Sequence, residues 1–127
     1  DARRVLEDTQ NNISRPGTTD VLGLIRNQSE TIRSPLIESS NLDLGPILQL
    51  GWELKKKTSD SVSNHEIDSA FRRALKLGAT GGKLLGAGAN GFLLLVHQNH
   101  KYLSSRLRLR TLPFEFDSEG TTILYSD

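Results

Sequence analysis

Residues 78–96 constrain this chain more than any other stretch. They read Gly78-Ala79-Thr80-Gly81-Gly82-Lys83-Leu84-Leu85-Gly86-Ala87-Gly88-Ala89-Asn90-Gly91-Phe92-Leu93-Leu94-Leu95-Val96. Residues 83–85 and 92–96 are short apolar runs, and the second reads as a buried strand. Between them lies a segment rich in glycine, which lacks the Cβ that keeps other residues out of left-handed backbone. The stretch therefore predicts two strands joined by a glycine-rich loop over residues 86–91. Backbone N–H groups that point the same way in such a loop make a concavity suited to an anion. Residues 86–91 are thus a candidate phosphate-facing element. A hairpin loop with no ligand is the other reading, because glycine marks tight turns as readily as ligand contacts.

Gly86-x-Gly88-x-x-Gly91 has the spacing of the dinucleotide fingerprint, but that motif requires a helix opening directly after it. A strand-like run follows instead, so no helix N-terminus would receive a pyrophosphate. The context argues against a nicotinamide cofactor.

Helices are expected upstream. Ala2, Val5, Leu6, Thr9 and Ile13 fall on one helical stripe, which Pro16-Gly17 breaks. Val21, Leu24, Ile25, Gln28 and Ile32 continue with helical spacing up to Pro35, where the second helix should kink or end, stopping near residue 39. Asn41 or Asp43 starts a third helix, with Pro46 tolerated in its first turn and Trp52 in the core. Lys55, Lys56 and Lys57 close it, read chiefly as a solvated helix end and secondarily as a contact for a substrate phosphate. Ser63 and Glu66 have capping-box spacing ahead of the stripe Ile67, Ala70, Phe71, Ala74 and Leu75, and Gly78 stops that helix. Residues 100–109 read as a short helix. Leu112, Phe114 and Phe116 alternate as a strand, and residues 121–125 suit a last strand. The order predicts an α+β domain, with N-terminal helices packed on one face of a four-stranded antiparallel sheet in which residues 92–96 are central.

Composition narrows the function. Hydrophobic residues make up 35% and charged residues 24% of the 127, which suits one ordered domain. Sixteen Lys and Arg against fifteen Asp and Glu offer no electrostatic case for nucleic acid. No apolar run approaches the roughly 20 residues of a membrane span. The absence of cysteine excludes disulfides and thiolate metal sites, and it fits a reducing compartment, so a cytoplasmic location is expected. His97 and His100 straddle a strand end without a third ligand, and His65 reads as a surface residue in a capping sequence. No metal site and no independent catalytic set is expected. The chain contains no methionine and opens at Asp1 inside a helical pattern, which suggests a piece of a longer protein or a processed product.

Gly81-Gly82-Lys83-Leu84-Leu85-Gly86-Ala87-Gly88-Ala89-Asn90-Gly91-Phe92-Leu93-Leu94 closely resembles the C-terminal motif of the GHMP kinases, a superfamily of small-molecule kinases. Trp52-Glu53-Leu54-Lys55-Lys56, Ser63-Asn64-His65-Glu66-Ile67-Asp68 and Leu112-Pro113-Phe114-Glu115-Phe116-Asp117-Ser118-Glu119-Gly120 resemble its D-glycero-D-manno-heptose 7-phosphate kinase branch, in the same order. The family usually has glycine where this chain has Ala89 and Asn90, and alanine tolerates left-handed backbone poorly. The resemblance implies that residues 1–127 are the C-terminal domain, ferredoxin-like in its sheet, of an ATP- and Mg²⁺-dependent sugar or sugar-phosphate kinase. It implies that Gly86, Ala87, Gly88, Asn90 and Gly91 line the nucleotide and substrate cleft, with Lys83 a weaker candidate. The family's phosphate-wrapping loop and magnesium-holding acid belong to an N-terminal domain with no counterpart here. That domain is the expected partner, and the chain alone is expected to be inactive and to bind ATP weakly at best. A further expectation is that Gly88→Val harms the parent kinase more than the fold. The alternative is a free-standing, non-catalytic α+β binding or interaction module.

Overall fold

Asp43 shows how the helices are fixed. The computed structural model describes residues 2–15, 17–38 and 42–115. Asp43 accepts from the Gly45 N–H (2.9 Å), capping α3 (Leu44–Lys56), and its same oxygen accepts from the Thr80 hydroxyl (2.9 Å). One carboxylate oxygen thus ends a helix and ties it to the chain entering the sheet. There the backbones of Gly45 and Gly81 approach so closely that a Cβ on either would overlap the other.

Upstream lie α1 (Ala2–Asn12) and α2 (Thr18–Glu38). Pro35 does not end α2, which runs on to Glu38. The expected apolar stripe of α2 is partly covered: Val21, Ile25, Gln28 and Ile32 are half-buried, Leu24 remains 53% exposed, and Thr18 is the helix's buried residue. Gln28 anchors α2 by donating to the Ile47 carbonyl (2.7 Å) on α3.

In α4 (His65–Lys76) the cap falls one residue later than the capping-box spacing suggests. Asn64 accepts from the Ile67 N–H (3.0 Å), while Ser63 donates to Asp68 (2.9 Å). Both residue types cap well, and the apolar stripe sets the choice by turning Ile67, Phe71 and Ala74 inward. Gly78 follows the helix with φ +97°, as its position predicts. In α5 (His100–Leu107) Leu103 and Leu107 are buried, and the Arg73 guanidinium caps the Leu107 carbonyl (2.6 Å).

Strands β1 (Gly81–Gly88) and β2 (Asn90–Val96) form an antiparallel pair from Gly81↔Val96 to Gly88↔Asn90. Leu84 and Leu93 pair on the face turned to the helices. Leu84 joins Val5, Trp52, Val62, Ile67 and Phe71 in the main core, where the Trp52 and Phe71 rings stack at 5.6 Å and 18°. Leu95 bridges to a second cluster of Ala74, Ala79, Leu103 and Leu107.

Two expectations about the sheet are not met among the described residues. Among the described residues it has two strands, not four. Residues 111–115 alternate in sequence but form no ladder, and Leu112 and Phe114 are exposed. The expected strand at residues 121–125, together with Phe116, lies outside the described residues. Nor is β2 central among them: it is bonded on one side only, and Phe92, paired with Leu85 on the face away from the helices, is 61% exposed.

Candidate functional site: the glycine-rich hairpin

Residues 86–91 do not form an open loop. The strands run almost to the turn, and the irregularity is a β-bulge: from Leu85 to Gly88 is three steps on β1, against two from Phe92 to Asn90 on β2. The bulge leaves Gly86 and Ala87 without ladder partners, and the turn closes over Ala89.

The five candidate residues divide between solvent and core. Gly86, Asn90 and Gly91 are exposed, whereas Ala87 is half-buried against the main core and Gly88 is buried. Gly86 has φ +102° with no atom within 4 Å of where a Cβ would stand, so its conformation needs glycine although the space does not. Gly88 is constrained twice. Its φ is +137°, and a Cβ would lie 2.8 Å from both Cα and O of Val62. Any side chain at Gly88 therefore strikes the fold itself, which corrects the expectation that Gly88→Val acts mainly on the kinase.

Ala89 takes the left-handed conformation (φ +61°) that alanine accepts poorly. Two hydrogen bonds hold it. Its N–H donates to the Val62 carbonyl (2.8 Å), and its carbonyl accepts from the Asn64 side chain (2.9 Å). Asn64 thus caps α4 and clamps the hairpin turn with one amide. The Ala89 N–H is consequently committed within the fold rather than offered to a ligand.

The residue that sequence reasoning undervalued is Lys55. Its ammonium donates to the Gly86 carbonyl, which the bulge has freed from the ladder. Burial, and then the charge of Lys83, hold Lys55 below the usual lysine range. Lys56 differs, pairing with Glu53 (2.9 Å) and lying 3.7 Å from Asp68. No carboxylate pairs with Lys55 or Lys83 among the described residues. The run of three lysines was the sequence signal, but nothing in it told which one turns to a strand 31 residues away.

The remaining candidates are structural. Trp52 is 1% exposed in the core. His97 meets the Leu77 carbonyl at 3.1 Å through one ring nitrogen and accepts from the Asn99 N–H (2.7 Å) through the other. A polar groove of about 440 Å³ runs between α1 and the α3–α4 connection, lined in part by Arg4, Arg15 and Asp60. There Ser61 donates to Asp8 and meets Ser59 at 2.7 Å, which ties that connection to α1. Among the described residues, no group of three His, Asp or Glu converges as a metal site, and no helix is long and apolar enough to cross a membrane.

Fold and site together define an α+β unit that presents a bulged, glycine-rich β-hairpin beside a basic helix end. No protein-family model matches the chain. Over 125 residues it is 29% identical to the D-glycero-alpha-D-manno-heptose 7-phosphate kinase of Campylobacter jejuni subsp. jejuni serotype O:2, a match that covers 94% of this chain. The chain spans 37% of that kinase's length.

Proposed function

We propose that residues 1–127 form the C-terminal domain of a GHMP-type, ATP-dependent sugar kinase that acts in the cytoplasm, with a heptose 7-phosphate as the favoured acceptor. One observation carries this reading: the similarity to a heptose 7-phosphate kinase runs through nearly the whole chain, hairpin included, rather than through one short motif. In the reaction a sugar hydroxyl attacks the γ-phosphorus of ATP, the bond to the β-phosphate oxygen breaks, ADP leaves, and the hydroxyl proton is released.

The exposed side of the hairpin at Gly86, Asn90 and Gly91 forms one wall of the nucleotide and substrate cleft in this reading. Ala87 and Gly88 hold that wall in place from the core side. Phosphoryl transfer rests largely on positioning and on neutralising charge. Magnesium, which the reaction class uses, is held in such sites by one or two carboxylates together with the substrate phosphates. Its ligands and the loop that wraps the nucleotide phosphates are assigned to the partner N-terminal domain. The isolated chain should therefore not catalyse.

The test is ³¹P NMR of the protein containing this chain, with ATP, magnesium and D-glycero-D-manno-heptose 7-phosphate. ADP and a bisphosphorylated heptose should form together, and Gly86→Val should slow them severely while leaving a folded protein. Full turnover in Gly86→Val would remove the hairpin from the cleft. Turnover by residues 1–127 alone would overturn the division of labour between two domains.

A further inference from the structure

Away from the hairpin, the groove of about 440 Å³ opens between α1 and the connection from α3 to α4. α1 supplies one wall. Arg4, Asp8 and Asn11 recur three or four residues apart and so stand above one another on the helix, and Arg15 follows at the same spacing beyond its end. Ser59, Asp60 and Ser61 supply the other wall. Hydrogen bonds fix the walls to each other. Asn12 donates to the Thr58 carbonyl (3.1 Å), and Ser61 donates to Asp8 while meeting Ser59, itself 5% exposed, at 2.7 Å. These contacts set the shape of the groove and leave other groups free. The side chains of Arg4, Asn11, Arg15 and Asp60 make no hydrogen bond or ion pair among the described residues, and all four are exposed at the rim.

Two properties of the lining choose the ligand. Small-molecule pockets of about 300–1,000 Å³ are ordinarily lined by apolar side chains with a few polar groups. Every residue that lines this one is polar or charged, so a ligand with an apolar body would gain little from it. The charges also cancel: the guanidinium groups of Arg4 and Arg15 stand against the carboxylates of Asp8 and Asp60, which favours neither an anion nor a cation. A neutral molecule dense in groups that both give and accept hydrogen bonds is the remaining match. Hydroxyls do both. A carboxylate accepts from them, and a guanidinium donates in a planar fork that suits two hydroxyls on neighbouring carbons. We propose that this groove binds a neutral, polyhydroxylated small molecule of monosaccharide size, with Asp60 accepting from its hydroxyls and Arg15 donating to them. None of the lining residues belongs to β1 or β2, so the site is independent of the hairpin's role in the kinase cleft.

The experiment follows the amide NMR signals of the 127-residue chain during titration with mannose and inositol as neutral polyols and with inorganic phosphate as an anion. Both polyols should shift the amides of residues 8–15 and 58–62 saturably. The dissociation constant should be on the order of millimolar, because each hydrogen bond made in exchange for water at an open site adds little. Phosphate should leave these signals in place. Asp60→Ala and Arg15→Gln should each weaken polyol binding about three- to tenfold, the effect of one lost hydrogen-bonding partner. Neither side chain bonds within the fold, so both variants should keep the wild-type urea midpoint. No saturable shift with either polyol, unchanged affinity in either variant, or tighter binding of phosphate than of mannose overturns the proposal. Gly86→Val separates this site from the cleft. If the variant binds polyol in the groove and turns over normally, the groove site stands and the cleft reading falls. If it loses turnover while the wild-type chain shows no groove binding, the cleft reading survives without this site.

Discussion

Alanine at Gly88 and at Gly86 should separate what the hairpin does for the fold from what it offers to solvent. Both glycines have positive φ, which costs an L-residue on the order of 1–2 kcal/mol. Only Gly88 adds a collision. Its Cβ would stand 2.8 Å from Cα and O of Val62 and 3.2 Å from a Val5 methyl, and the first two atoms are backbone. Forcing atoms into a packed core costs a further ~1–3 kcal/mol. Gly88→Ala should therefore lose about 2–5 kcal/mol, a large share of the 5–15 kcal/mol typical of a domain. Gly86→Ala should lose only about 1–2 kcal/mol, from the backbone term alone. At about 4 °C per kcal/mol for a domain of this size, Tm should fall by roughly 8–20 °C in the first variant and 4–8 °C in the second. Trp52, the single tryptophan, is 1% exposed and stacked on Phe71, so its fluorescence reports unfolding directly. Urea and thermal melts followed by Trp52 emission provide the assay. Equal losses in the two variants, or a Gly88→Ala chain as stable as wild type, would refute the steric argument.

Other consequences are open to simpler measurements. Asn64→Ala removes both the α4 cap and the clamp on Ala89, so it should cost about 1–2 kcal/mol in urea unfolding and speed amide exchange at residues 89–91; loss of stability without faster exchange there would deny the clamp. Leu84→Ala should cost about 2–5 kcal/mol, since the side chain is 1% exposed at the meeting of α1, α3, α4 and the hairpin; a loss below 1 kcal/mol would mean that the core collapses around the gap. Because the folded chain holds Lys55 below its ordinary value of 10.5, the unfolded chain binds more protons in the window beneath that value, and the contribution of Lys55 to stability should rise with pH through it. The difference in urea midpoint between wild type and Lys55→Met should move in favour of wild type from pH 7 to pH 10, and a flat or opposite trend would contradict the partial burial of the Lys55 ammonium at the hairpin.

Local chemistry was legible in the sequence because it acts over a few residues. Asp43 caps α3, Gly78 ends α4, Pro46 sits in a first turn, and Ile67, Phe71 and Ala74 face inward, all set by neighbours three or four positions away. The hairpin was legible as two apolar runs around glycines, and the resemblance carried by those residues agrees with the kinase similarity. Tertiary contacts decided the rest. Whether Ser63 or Asn64 capped α4 depended on which register buried the apolar stripe. Whether Gly88 was a ligand-facing position or a packing position depended on Val62, 26 residues earlier and pressed against it. Ala89 could keep a left-handed backbone only because Val62 and Asn64 bond both of its amide groups. Lys55 looked like its two lysine neighbours until α3 crossed β1 and the bulge turned the Gly86 carbonyl toward it. Propensity and spacing act along the chain, whereas the partners of a carbonyl, a charge or a Cβ are chosen by whatever the fold brings beside them.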